Sequence, residues 1–474
     1  MSRKKKKDLP LLEKVEITGV AAEGKAIARV GDKVVFVPFA APGDVVDVKL
    51  TRSRRKFMEG RIQQIHKLSA DRVEPFCVHF GICGGCRWQH LPYETQLELK
   101  QQQVVDNMTR IGKISTVQCA IRPIERSEKT TFYRNKLEFT FSEKRWLTKE
   151  EIDSKAEVKD MHALGFHVPG RFDKVMDVEK CWLQPEPSNA IRQWLKSYAI
   201  SSGLSFFNLS TNEGFLRNLI IRNTLKGELM VVVVFGEDNP KVIKVLLESL
   251  HSHFPEIQSL FYVVNAKQNS SLSDLNPILA KGKPFLEELM GTLRFRIGPK
   301  SFFQTNAVQA HKLYEIALDF AGLTGKETVY DLYTGAGTIA CFISSAADKV
   351  IGVEYIEEAV VHARENAALN NITNTTFIAG DMARVFNTEL MDRCGRPHVI
   401  ITDPPRAGMH PDVIGRIIES GADTIVYVSC NPATQARDIQ LLSASYRPVV
   451  MQAVDMFPQT HHVENVVKLE RIRN

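Results

Sequence analysis

No apolar run in this 474-residue chain approaches the roughly 20 residues that a membrane-spanning helix needs. Its start, Arg3 and Lys4 to Lys7 followed by Asp8, lacks the apolar centre of a secretion signal. The expected location is therefore the cytoplasm, where the eight cysteines should not form a disulfide framework. No internal repeat recurs, and no low-complexity segment stands out beyond the lysine run. Compositional bias is missing as well: 44% hydrophobic and 24% charged residues argue against disordered and fibrous classes.

What is present is length enough for about three domains, each able to bury its own core. The net charge of +6 is local, because residues 1 to 60 hold 14 Lys/Arg against 8 Asp/Glu, the whole surplus of the chain. Lys4 to Lys7 read as a solvated tail, whereas Arg52, Arg54, Arg55 and Lys56 lie inside an ordered-looking module. Such a cluster favours a polyanionic partner, most simply nucleic acid held through its phosphates.

The alternation of apolar residues predicts five short strands between about 10 and 67: Val15 to Val20, Lys25 to Val30, Lys33 to Val37, Val45 to Thr51 and Phe57 to Ile65. Five strands in so short a segment suit a small OB-like barrel that presents a curved face to single-stranded nucleic acid, or a generic small β-domain. From 71 to about 300 the pattern is mixed α/β, with helices predicted over Thr95 to Ile111 and Pro240 to His251. Apolar strands alternate with helices from Ser301 onward, as in a Rossmann-like doubly wound sheet. The resulting division is a barrel over 8–67, a central α/β domain over 68–300 and a catalytic domain over 301–474, with 95–127 a segment that could pack on the last.

Cys77, Cys83 and Cys86 lie among Gly81, Gly84 and Gly85, and Cys181 follows far downstream. Thiols so close on a glycine-rich loop can converge on one centre, and four thiolates suit zinc or an iron-sulfur cluster. Zinc sites more often pair two C-x2-4-C knuckles, so the first gap of five favours a [4Fe-4S] cluster. The C-x3-C-x2-C spacing of radical S-adenosylmethionine enzymes is absent, which points to a structural or RNA-facing role.

Val329 to Thr338 reads as a strand turning through Gly335 and Gly337 into a helix, and Glu354 ends the next strand. A carboxylate there can bind both ribose hydroxyls while the glycines allow close approach, for S-adenosylmethionine or for a dinucleotide. Asp381, closing the third strand, could bind an adenine amino group or cap a helix. Asp403-Pro404-Pro405-Arg406 and the strand-end thiol Cys430 have no use in a dehydrogenase. An amine methyltransferase would place an aromatic residue where Arg406 stands, and it would leave Cys430 idle. Methylation of a pyrimidine carbon employs them all: a thiolate adding at C6 puts electron density on C5, and a base, Glu464, then removes the C5 proton. His461 and His462 compete for that last role. A free thiol of pKa about 8.5 is only slightly ionised at pH 7, so the site must lower that value or accept the proton during attack. The reacting base must also leave its stack, so an unpaired uridine is expected.

Together, Ser301-Phe302-Phe303-Gln304-Thr305-Asn306, the Gly335/Gly337 loop, Asp403 to Gly408, Ser429-Cys430-Asn431-Pro432, His462-Val463-Glu464 and the four cysteines resemble the RNA uracil-5-methyltransferases, in particular the RumA-like branch. The resemblance covers residue 10 to the end. It implies an N-terminal TRAM domain, a [4Fe-4S] cluster on Cys77, Cys83, Cys86 and Cys181, and Cys430 as nucleophile with Glu464 as base. It further implies that Gln304, Tyr333, Glu354 and Asp403 line the S-adenosylmethionine or uracil site, beside Gly335, Gly337, Thr338 and Asp381. Thr334 stands where many relatives carry cysteine, and Thr338 where some carry asparagine. The TRAM-plus-cluster architecture looks more like the enzymes of 23S rRNA than those of tRNA. A catalytically silent RNA-binding assembly factor is the competing reading from another class.

Overall fold

The computed structural model describes residues 9–115, 117–156, 158 and 160–473. The lysine run Lys4 to Lys7 lies outside them. No described helix is long and apolar enough to cross a membrane.

Six strands, rather than five, build the first sheet, in the order Leu11–Glu16, Val45–Ser53, Phe57–Lys67, Lys33–Val37, Ala26–Val30, Gly19–Val20. The expected strand Val15 to Val20 is split because the chain changes partner within it. Leu11–Glu16 pairs with Val45–Ser53 and Gly19–Val20 with Ala26–Val30, and Lys14 takes a left-handed backbone at φ 50°. Inward residues are small or β-branched, with Val15, Ala28, Val35, Val46 and Val48 forming the core. At Gly60 a Cβ would stand 2.3 Å from Val48 Cγ1, so glycine lets the two longest strands coil tightly over each other.

Seven strands form the central sheet, ordered Arg171–Asp177, Ala163–Val168, Lys136–Ser142, Leu216–Asn223, Leu229–Phe235, Ser259–Val264, Ile278–Gly282. All pairs are antiparallel except Leu229–Phe235 with Ser259–Val264, which the crossover helix Pro240–His253 joins. That helix and Ser188–Ser201 bury Ile191, Leu195, Leu246 and Leu250 against Phe139, Leu219 and Val233 of the sheet.

Eight strands make the C-terminal sheet: Thr375–Ala379, Lys349–Glu354, Thr328–Leu332, Val399–Thr402, Thr424–Ser429, Glu464–Arg471, Tyr446–Val454, Ala120–Glu125. The first five run parallel, and Glu464–Arg471 enters antiparallel between Thr424–Ser429 and Tyr446–Val454. Ala120–Glu125 comes from far upstream and is added in parallel at the edge. The preceding helix, Tyr93–Arg110, packs its Val104 and Met108 into the same core as Met451 and Ile439. Strand order reverses beside Thr328–Leu332, and ligands of such sheets sit at the carboxyl ends of the strands there.

Candidate active site

The carboxyl ends of Thr328–Leu332, Lys349–Glu354, Val399–Thr402 and Thr424–Ser429 carry the turns singled out in the sequence. Tyr333, Gly335 and Gly337 all have left-handed backbone, at φ 66°, 56° and 77°. At Gly337 a Cβ would also come 2.9 Å from Ala363 Cβ, so this position is closed to larger residues. Glu354 braces the loop: its carboxylate accepts from the Gly335 amide at 3.1 Å and the Ile356 amide at 2.9 Å. Asp331, fully buried, accepts from Thr334 Oγ1 at 2.5 Å and the Ala340 amide at 3.1 Å, while its Oδ1 has no partner. Burial pushes its carboxyl up to about 7. Asp381 caps the helix Met382–Val385, accepting from the Ala383 amide at 3.0 Å.

Cys430, half-buried, follows the strand Thr424–Ser429 directly, and Glu464, 5% exposed, opens the neighbouring strand. Their charges are coupled. Burial first, then the carboxylates of Glu464 and Asp403, push the Cys430 thiol up to about 11, against the pull of the Arg406 guanidinium that hydrogen-bonds it. Burial, then Asp403, raises Glu464 to about 8, again opposed by Arg406. Asp403 itself is pushed up to about 7 by burial. The Cys430 thiol, the carboxyls of Glu464, Asp403 and Asp331, and the Arg406 guanidinium are thus linked by mutual charge interactions. Such a site is poised for a cation, because a positive ligand would relieve the mutual repulsion of the carboxylates.

The loops bearing these groups are fastened together by side chains to which the motifs themselves assign no role. Asn431 caps the helix Pro432–Leu442, accepting from the Ala433 amide at 3.2 Å, and its Nδ2 donates to the Arg406 carbonyl at 3.0 Å. Thr434 Oγ1 donates to the same carbonyl at 3.2 Å, and Arg437 Nη2 donates to the Ala407 carbonyl at 2.9 Å. The only sequence signal was the cap pattern Asn431-Pro432, whose side chain can bind two elements at once. Asn306 does the same on the opposite wall. It caps Ala307–Ala321 and donates to the Met456 carbonyl at 3.0 Å, which sets the Gln304 loop beside the chain leading to Glu464. Phe302 in that loop is 73% exposed. The His461 and His462 rings lie tilted with centroids 4.2 Å apart, and burial lowers both, to about 4 and about 3, so each is a weak base.

The four cysteines Cys77, Cys83, Cys86 and Cys181 line a single cavity of about 520 Å³, together with Arg134, Lys136 and Phe302. Burial and mutual charge push the Cys83 and Cys86 thiols up to about 12. The Gly85 amide donates to Cys83 Sγ at 3.4 Å, and Asn189 grips the Cys181 backbone through its amide and carbonyl. Among the described residues no three His, Cys, Asp or Glu side chains are grouped to hold a metal ion.

A doubly wound sheet with a glycine turn, an acidic strand end and a strand-end thiol beside Glu464 fits the class of S-adenosylmethionine-dependent methyltransferases. Residues 286–472 match the family model described as tRNA (Uracil-5-)-methyltransferase, and residues 13–62 match the TRAM domain. The chain is 55% identical over 454 residues to an uncharacterized RNA methyltransferase of Bacteroides thetaiotaomicron, covering 95% of this chain and 100% of that one. It is 52% identical to another from Porphyromonas gingivalis, with 96% and 99% covered. The crystal structure of Pyrococcus abyssi tRNA (uracil-54, C5)-methyltransferase with S-adenosyl-L-homocysteine superposes with a TM-score of 0.74 at 29% identity, covering 96% of this chain and 99% of that one. The chain belongs to the RNA uracil-5-methyltransferase family, in which the RumA-like architecture fits.

Proposed function

We propose that this enzyme methylates C5 of one unpaired uridine in 23S rRNA through a transient bond between Cys430 and C6 of the ring. The observation that carries the reading is the placement of Cys430 and Glu464 beside the paired Ser429 and Asn465 of neighbouring antiparallel strands, with Asp403 and Arg406 acting on both. Cys430 Sγ, releasing its proton to solvent as it attacks, adds to C6. The C5=C6 electron pair moves to C5 and takes the methyl group of S-adenosylmethionine, which leaves as S-adenosylhomocysteine. Glu464, which gives up its own proton to solvent when the cationic cosubstrate binds, then accepts the C5 proton, the C5–H pair restores the double bond, and the thiolate departs from C6. Arg406 favours the thiolate, which otherwise forms too rarely at neutral pH. Glu354 holds the cosubstrate's ribose hydroxyls, Asp381 its adenine amino group and Asp403 its cationic part, with Gln304, Tyr333, Gly335, Gly337 and Thr338 around it.

Four cysteines, Cys77, Cys83, Cys86 and Cys181, line one cavity and interact through their charges, and this donor set is what supports a [4Fe-4S] cluster, although no three of the side chains are grouped for a metal among the described residues. Bound there, the cluster would cross-link the 77–86 loop to Cys181. The visible spectrum of anaerobically purified protein tests this, a brown chromophore supporting iron and a colourless zinc-loaded protein refuting it.

The preference for 23S rRNA rests on the cysteine set beside the TRAM domain. A tRNA substrate is the second reading, favoured by the likeness to the Pyrococcus abyssi enzyme. Mass mapping of 23S rRNA and tRNA from cells with and without the gene separates them, by which RNA loses a 5-methyluridine. For the chemistry, Cys430→Ala is expected to abolish methyl transfer while RNA binding persists. Unchanged turnover would exclude the covalent route, and also favour a reading other than Cys430 as nucleophile.

A further inference from the structure

The loop 455–463, joining the strands Tyr446–Val454 and Glu464–Arg471, delivers the proposed base. Val454 and Glu464 are paired as the last and first residues of those strands, so Asp455 opens the loop directly beyond the residue paired with Glu464. Asp455 and Lys100 are both fully enclosed, with Lys100 Nζ 2.5 Å from Asp455 Oδ1. Lys100 also donates to the Phe457 carbonyl at 3.1 Å, and the Tyr93 hydroxyl donates to Asp455 Oδ2 at 2.8 Å. The Phe457 amide donates to Asp455 Oδ1 at 3.1 Å, and Gln309 Nε2 to the Asp455 carbonyl at 3.0 Å. One turn along the same helix, Gln96 exchanges side-chain and backbone hydrogen bonds with Gln459.

A buried ion pair is poor value as a stabiliser, because taking both charges out of water consumes most of their attraction. An apolar pair of equal volume would fill the space and tolerate slippage. A buried ammonium against one carboxylate admits a single register, the best-attested use of such pairs. Here the register being fixed is that of the hairpin carrying Glu464, and the fixing element is the helix Tyr93–Arg110.

We infer that Lys100, Asp455 and Tyr93 are positioning residues for the proton-abstraction half of the reaction, holding Glu464 in line with the C5 proton of the methylated adduct. The inference rests on Glu464 being the base. Its signature differs from that of a merely structural pair. Loosening the hairpin leaves Cys430 and the cosubstrate turns in place, so methyl transfer proceeds while release of the product from Cys430 stalls.

The test uses the full chain and transcripts of 23S rRNA and of tRNA carrying 5-tritiated uridine. Methyl transfer in a single turnover, tritium release and the covalent RNA-protein adduct on denaturing gels are followed in wild type, Lys100→Met, Tyr93→Phe and Glu464→Gln. For Lys100→Met, methyl transfer within about threefold of wild type is expected, with tritium release at least about tenfold slower, part of the 10²–10⁴ that a positioned base supplies. The adduct should accumulate. Tyr93→Phe removes only one hydroxyl and should show the same separation at smaller size; it decides the matter should Lys100→Met not fold. Methyl transfer and tritium release falling together, a rise in KM for RNA alone, or no change would each overturn the inference. Adduct in Glu464→Gln without any in the other two overturns this inference only, whereas its absence from Glu464→Gln overturns the assignment of the base itself.

Discussion

Glu464 is a carboxyl that folding has withdrawn from water without supplying a hydrogen-bonded cation of its own, and its raised pKa has a stability consequence. The folded chain keeps this proton up to about pH 8, whereas the unfolded chain loses it near 4.5. The folded state therefore binds more protons between those values, and its advantage, complete below about 4.5, is lost as pH rises toward 8. At pH 7 the cost is on the order of 3 kcal/mol. The ligand-free protein should thus melt at falling temperature from pH 5 to pH 8. Glu464→Gln should flatten that slope and melt higher at pH 7, as differential scanning calorimetry would read. A positively charged cosubstrate should have the same flattening effect on wild type. Denaturing electrophoresis of Glu464→Gln with RNA and S-adenosylmethionine should show a persistent covalent adduct, because the ring cannot shed its C5 proton. His461 and His462, lowered by burial to about 4 and about 3, are the wrong strength to substitute at neutral pH.

At the scale of elements, the helix Pro432–Leu442 is the clamp on the Asp403–Gly408 turn. Asn431→Ala removes both its cap and its bond to the Arg406 carbonyl. The expected loss of stability is about 0.5–2 kcal/mol, the usual value of a cap. Turnover should fall further than stability does, with S-adenosylmethionine affinity by calorimetry weakened less than turnover, since the Gly335 turn is held separately by Glu354. Gly408 sits at φ 79°, and a Cβ there would lie 2.5 Å from Arg437 Nη2 and Asp438 Oδ2. Gly408→Ala should consequently lower both the melting temperature and the rate. The parallel strands of the C-terminal sheet were legible in the sequence because each is an apolar run ending in a chemically distinct turn: Asp331 with its glycines, Glu354, Asp403-Pro404, Cys430-Asn431. The barrel was legible by alternation, apart from the partner exchange near Lys14 to Ile17, which depends on strands 30 residues away. Lys100 was not legible. It lies in a helix of largely polar residues, where a lysine reads as solvated, and only the arrival of Asp455 from the far end of the chain makes it interior. Asp438 escaped notice similarly, since its partners Tyr427 and Met409 come together only once the sheet has formed.

Across the whole molecule, every unit grips the short loop before Glu464. The cysteine segment contributes the Arg87 and Trp88 amides to the Gln459 carbonyl, the central unit the Tyr133 hydroxyl to the Pro458 carbonyl, and the barrel its Gly24 turn. At Gly24, φ 70°, a Cβ would come 2.7 Å from His461 Cβ and 3.0 Å from Trp88 Nε1, which itself donates to the Gly24 carbonyl at 3.1 Å. Gly24→Val should pry the barrel from this seat. With the barrel as an RNA-holding module, KM for RNA should rise by about tenfold, whereas binding of S-adenosylmethionine stays as it was. Filter binding and calorimetry would separate the two.

The edge strand Ala120–Glu125 pairs with Tyr446–Val454, about 330 residues later in the chain. During synthesis the ribosome releases that strand, and the apolar side of the helix before it, long before their seat exists. Val104, Met108 and Ile121 must wait uncovered while everything in between is translated. The nascent protein should thus engage holding chaperones over most of its elongation, and a fragment beginning at 301 should emerge with one rim of its sheet bare and prone to self-association.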